Sequence, residues 1–229
     1  MLHYPTTFAE TLVPVDPDIL DVEGRDAVVD LNNRGFEVVS RVRREDVPDL
    51  AEISAQEGSA QDGVREFCRN DLDKRFANPK MMAAWHEKDG GRGTFLLRQL
   101  GATAGHGWTG PIAEDGEERK LVPGAEVTFA IRLSGAFGGQ GLAVPFTKAI
   151  VWGSVALYGA RNISLETWGS NTRAVRTYLK AGAEVVTTAD GWRPTLKEDE
   201  PGLVYDEKKG YFKRRDVRLF MRFPRTFEL

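Results

Sequence analysis

The sequence predicts a single α/β domain whose mixed, mostly antiparallel sheet is flanked by helices. Three observations predict it. Residues 125–133 place Val127, Phe129, Ile131 and Leu133 alternately on one side, the period-two signature of a strand with one buried face. Residues 94–100 and 104–109 read as two strands of a meander. A glycine turn, Phe137-Gly138-Gly139-Gln140-Gly141-Leu142-Ala143, passes directly from a strand into an apolar helix. The 229 residues suffice for one well-cored domain, and shares of 41% hydrophobic and 28% charged residues are ordinary for a globular protein.

The elements follow in order. Residues 1–34, rich in proline and acids, read as an N-terminal extension packed on the domain with a short helix; residues 35–229 read as the domain itself. Residues 35–43 (Phe36, Val38, Val39, Val42) form a first strand. A helix begins at residues 44–49, with acids and Pro48 in its first turn and Leu50 and Ile53 on one face. Residues 62–87 look helical in two pieces, broken near Asn78-Pro79. The polar segment 113–124 is a hairpin loop. The helix after the glycine turn spans 142–158, with Pro145 in its first turn, where a missing N–H costs nothing. Residues 163–168 are a strand, and 172–181 a helix stopped by Gly182. Residues 189–215 are a long polar stretch, and Val217, Leu219, Met221 and Phe223 alternate in a last strand.

Several classes are excluded by composition. The lone Cys68 permits no intrachain disulfide, which fits a reducing cytoplasm, and reads as filler rather than as a nucleophile. The first residues lack the basic-then-apolar pattern of a signal peptide, and no apolar run approaches the roughly 20 residues a membrane span needs. We therefore expect a cytoplasmic protein with no membrane partner. The net charge of −3 argues against a nucleic-acid binder. The charge is uneven: the first thirty residues are acidic, and the C-terminal end carries Lys208, Lys209, Lys213, Arg214, Arg215, Arg218, Arg222 and Arg225. These read as two solvated segments rather than as an anion-binding patch.

The chemistry-bearing residues lie in 125–186. A glycine turn opening a helix holds a phosphate on bare backbone N–H groups, because no β-carbon keeps the anion away and the positive end of the helix dipole faces it. Asn171 and Tyr178 lie seven residues apart, close to two helical turns, and so share a face with Ala174 between them. Taken singly, Asn171 also reads as a helix N-cap and Tyr178 as a half-buried core aromatic.

Together these residues resemble the cofactor core of the GNAT superfamily of acyl-CoA N-acyltransferases. That family's loop pattern, R/Q-x-x-G-x-G/A, aligns with Gly138, Gly141 and Ala143, the last two matching it, with an extra glycine at Gly139. Its later helix pattern, N-x-x-A-x-x-x-Y-x-x-x-G, is met by Asn171, Ala174, Tyr178 and Gly182. The resemblance implies acetyl-CoA as acyl donor and transfer of an acetyl group to a primary amine, on a small molecule or a protein. It implies a cofactor site of Ile131, Leu133, Gly138, Gly139, Gln140, Gly141, Leu142, Ala143, Asn171 and Tyr178. Strand N–H groups near Ile131 and Leu133 would polarise the thioester carbonyl, and Tyr178 would protonate the departing sulfur as general acid. Glu126, at the start of that strand, is the first choice for general base, ahead of Glu166 and His106. No metal is implied. A homodimer is left open, as family members often pair.

The sequence departs from the family at two places. Gly138 stands where arginine or glutamine is usual, so Lys148 is considered as a substitute cation, and Ala183 stands where an aromatic is common. Gly138 keeps in view a GNAT-like protein that binds acyl-CoA without acetylating, and the basic residues Lys213, Arg214, Arg215 and Arg218 keep in view an enzyme modifying nucleic acid, which the net negative charge opposes. Trp108, Trp152, Trp168 and Trp192 read as core residues, with Trp108, set among glycines, the one that would line an acceptor pocket.

Overall fold

The computed structural model describes residues 8–57, 78–88, 92–111, 124, 126–168, 171–185, 203–206, 211–214 and 218–224. Its helices are α1 (Val22–Asn33), α2 (Val47–Glu57), α3 (Pro79–Lys88), α4 (Ala143–Tyr158) and α5 (Thr172–Lys180). Its strands are β1 (Val13–Pro14), β2 (Glu37–Ser40), β3 (Gly93–Gln99), β4 (Ala102–Pro111), β5 (Glu126–Leu133), β6 (Asn162–Trp168), β7 (Glu184–Val185), β8 (Leu203–Asp206), β9 (Tyr211–Arg214) and β10 (Arg218–Arg222). Eight strands form one sheet in the order β1-β2-β3-β4-β5-β6-β10-β7, and β8 and β9 form a separate hairpin. Every neighbouring pair in the large sheet is antiparallel except β5–β6. A parallel pair needs a crossover, and α4 supplies it.

The sheet is covered on both faces, which explains its continuous apolar runs. In β3, Phe95 and Leu97 enter the larger core with α1 and α4, while Leu96 enters the smaller one with Val47, Leu50 and Met82. Helix α4 is apolar on nearly every side because α1 covers the flank that the sheet leaves open; Phe146, Ala149, Ile150 and Ser154 are all buried. It ends at Gly159, whose φ of 68° is left-handed and suits glycine.

The N-terminal residues depart from the sequence reading. Gly24, Ala27, Val28 and Leu31 are all buried in α1, at spacings of three and four, so a helix of 12 residues with a buried stripe stands where only a short helix was expected. Gly24 permits close approach to α4, since a β-carbon there would lie 2.4 Å from Trp152 Cβ. Two other boundaries differ, and the helix break near Asn78-Pro79 falls where expected. A 3-10 turn, Arg44–Asp46, precedes α2. Helix α3 starts after Asn78, whose Oδ1 accepts from the Lys80 N–H at 2.9 Å; the first of the two expected helical pieces lies outside the described residues. The stretch expected to be simply polar contains β8 and β9. Cys68, Trp192 and the loop before Gly124 lie outside the described residues, as do the side chains of the basic C-terminal group other than Arg222.

Candidate active site

Strands β5 and β6 part company halfway along. They pair only at Glu126↔Asn162, Val127↔Ile163 and Thr128↔Ser164. From there β5 stays with β4 as far as Leu133, while β6 stays with β10 as far as Trp168. The Val127 carbonyl accepts from Ser164 Oγ on β6 at 3.4 Å, whereas the Thr128 carbonyl accepts from Thr109 Oγ1 on β4 at 3.3 Å. Backbone groups of successive strand residues point to opposite sides. Phe129, Ile131 and Leu133 therefore turn their N–H and C=O groups into the gap. The Ser134 N–H, donating to the Ala104 carbonyl at 2.9 Å on the β4 side, continues the alternation.

The gap opens into a cavity of about 630 Å³ bounded by β5, the glycine turn, the start of α4 and one face of α5. That size suits a small organic ligand. In the turn, Gly139 and Gly141 have φ of 76° and 71°, and a β-carbon at either would meet nothing within 4 Å. Glycine adopts this backbone with the least strain, and the space a side chain would fill is open at both positions. No side chain caps the start of α4, so its first N–H groups remain for an anion. Gln56 at the end of α2 braces the near wall: its Oε1 accepts from the Gly135 N–H at 3.0 Å and from Ser134 Oγ at 3.4 Å.

Helix α5 forms the opposite wall. Asn171 caps it, with Oδ1 accepting from the Ala174 N–H at 3.2 Å, and also lines the cavity. Tyr178 lines the cavity too, its ring edge-on to Phe129 with centroids 5.6 Å apart. Each residue thus shapes the helix or the core and also borders the cavity. Helix α5 stops where expected, with the Ala183 N–H donating to the Tyr178 carbonyl at 2.9 Å.

Nine of the ten expected cofactor residues line this cavity. Gln140 does not; it faces outward, and its carbonyl accepts from an Arg34 guanidinium nitrogen. Glu126 is also displaced. It sits at the opposite end of β5, about 16 Å from Ile131 at about 3.3 Å per strand residue, and accepts from Asn162 Nδ2 at 2.8 Å. Lys148 pairs with Glu23 at 3.6 Å and lines a different, smaller cavity. Glu166 is exposed on β6. His106 is sealed in the core with Ser54 Oγ 3.4 Å from its Nε2. Burial first, then the charges of Arg132 and His86, hold its imidazole well below the usual range. Trp108 lies outside the cavity lining, its ring 4.9 Å from the Arg92 guanidinium carbon. Gln56, Arg132 and Arg173 also line the cavity, and no local pattern in the sequence marks them. Among the described lining residues these two arginines are the only charged side chains, a field that favours an anionic ligand.

The architecture matches known structures. A GNAT-family acetyltransferase from Streptococcus pneumoniae superposes with a TM-score of 0.52 over 81% of this chain and 98% of its own, at 19% identity. Spermidine N-acetyltransferase from Vibrio cholerae, in complex with CoA and spermine, gives 0.55 over 83% and 95% at 13% identity. The ribosomal L7/L12 alpha-N-protein acetyltransferase in complex with coenzyme A gives 0.54 over 82% and 94% at 12% identity. No family model and no curated protein matches the sequence. The chain thus has the fold of the GNAT acetyltransferases, with a mixed sheet flanked by helices and parted between β5 and β6.

Proposed function

We propose that this protein is an acetyl-CoA-dependent N-acetyltransferase that acts on a primary amine. The observation that best supports the reading is one cavity joining three features: strand amides facing a gap, a glycine turn at a helix start, and a tyrosine on the far wall. The lining fits a CoA thioester, with an open, glycine-lined amide cradle for the pyrophosphate, arginines and no acid, and an apolar strand for the pantetheine arm.

When bound, acetyl-CoA supplies a thioester carbonyl for the amine to attack and a thiolate that leaves. The Ile131 and Leu133 N–H groups hold the pantetheine arm and stabilise the negative charge that develops on the carbonyl oxygen. The amide groups of the glycine turn bind the pyrophosphate, with Asn171 shaping the wall beside it. Tyr178 Oη gives its proton to the leaving sulfur and recovers one from solvent. The amine loses its proton to water. Glu126 has no part in this chemistry. The acceptor belongs to a small molecule or a protein.

Calorimetric titration with acetyl-CoA and free CoA tests the reading. Saturable micromolar binding is expected for the wild type and none for Gly141→Glu, which forces a side chain onto a left-handed backbone and sets a carboxylate against the phosphates. Failure of the wild type to bind at millimolar CoA refutes the acyltransferase reading.

A further inference from the structure

The glycine turn has no charged side chain of its own from Gly138 to Ala143. Its outer face is met by a residue more than a hundred positions away. Arg34, at the C-terminal end of α1, donates from Nη2 to the Gln140 carbonyl. Its other terminal nitrogen, Nη1, is held by Asp30 Oδ2 at 3.3 Å, one turn back on α1. Two further contacts fix this corner. The Arg34 N–H donates to the Asp30 carbonyl at 3.2 Å, and Phe36 packs edge-on against Phe137 with centroids 5.9 Å apart. The N-terminal segment therefore braces the turn on both sides of Gly138.

The chemical consequence follows from peptide geometry. The Gln140 carbonyl and the Gly141 N–H belong to one planar trans unit and point in opposite directions. A guanidinium that captures the carbonyl from outside turns the Gly141 N–H inward, toward the cavity that Gly141 lines. Gly141 on one side of this peptide, free of a β-carbon, makes it easier to flip, so the anchor decides which group the anion meets: an N–H donor or a carbonyl oxygen. The guanidinium also adds a positive field behind the turn. We infer that Arg34 is a positioning residue for the pyrophosphate of CoA, presenting the Gly141 amide from the N-terminal helix. This rests on the acyltransferase reading above.

The test compares two probes on the full chain: CoA, which carries the pyrophosphate, and pantetheine, which does not, the latter titrated by NMR. Arg34→Ala is expected to weaken CoA binding on the order of 10- to 100-fold, the worth of a charge-assisted hydrogen bond, and to leave pantetheine binding unchanged. Arg34→Lys, which keeps the charge without the two-pronged fork, should recover part of the loss. Asp30→Asn, which leaves Arg34 without its orienting partner, should show a smaller loss of the same kind and serves if Arg34→Ala does not fold. Equal CoA affinity in Arg34→Ala and the wild type overturns the inference alone. So does an equal loss for both probes, which marks a general structural role. A wild type that binds no CoA overturns the acyltransferase reading, and the inference with it.

Discussion

Replacing Gly24 with alanine tests how closely the N-terminal helix is fitted to the domain. The new β-carbon would lie 2.4 Å from Trp152 Cβ, 2.7 Å from Cγ and 3.0 Å from Cδ1, where ordinary contact begins at 3.4 Å. Trp152 Cβ is tied to the α4 backbone, so no rotamer change relieves the clash, and the two helices must separate by about 1 Å at this point. Overpacking of this kind costs about 1–3 kcal/mol. The helix propensity gained on going from glycine to alanine returns less than about 1 kcal/mol. The steric cost wins, leaving a net loss of about 1–2 kcal/mol and, for a chain of this size, a Tm lower by about 2–8 °C. Thermal unfolding followed by circular dichroism reads it, with Val29→Ala on the exposed side of α1 as a control expected to change little. A Gly24→Ala protein as stable as the wild type, or more so, would refute the close packing of α1 on α4.

Three other predictions follow from the site and the core. Tyr178→Phe should lower turnover by about 100-fold, the size of a general-acid contribution, while CoA affinity measured by calorimetry stays close to wild type; unchanged turnover removes Tyr178 from the acid role. Asp46 is buried, which pushes its carboxyl up, but hydrogen bonds from Arg43 and the charges of Arg43 and Arg98 outweigh this and hold it below the usual range. Asp46→Asn should therefore destabilise at neutral pH by about 2 kcal/mol or more, with the difference fading in acid, as pH falls from the ordinary carboxylate range, where the unfolded chain takes up its proton, through the lower range where the native carboxylate does; urea unfolding at several pH values checks it. His86 is pushed down to about 4, by burial first and then by the Arg92 charge. The unfolded chain then binds the extra proton between about pH 6.5 and 4, so stability is full above that window and falls through it by up to about 1.4 kcal/mol per pH unit. His86→Leu should flatten this slope in acid-unfolding curves, and an unaltered slope would discount the buried neutral imidazole.

Much of the architecture was legible in particular residues. The Phe129-x-Ile131-x-Leu133 alternation, the apolar residues after Gly141 and the Asn171–Gly182 spacing each encode a local geometry, because strand period, helix start and helix stop are written within a few neighbours. The turn and the α5 wall were legible for the same reason. Glu126 and Lys148 were misjudged because closeness along a strand or helix says little about which end meets the cavity. Glu126 begins the cofactor strand but lies where β5 and β6 are still paired, and Lys148 sits on the flank of α4 that meets α1.

By itself the sequence determined the order of the elements from β3 and β4 through α5, the glycine turn and the shared face of Asn171, Ala174 and Tyr178, since each is fixed by backbone sterics and short-range periodicity. Only the tertiary structure decided where β5 and β6 separate, that Gln56 reaches Gly135, and that Arg34 grips the turn from α1. Those contacts join residues tens to over a hundred positions apart, and they come about because burying α1, α2 and α4 on a shared sheet brings their ends together, not because any local pattern calls for them.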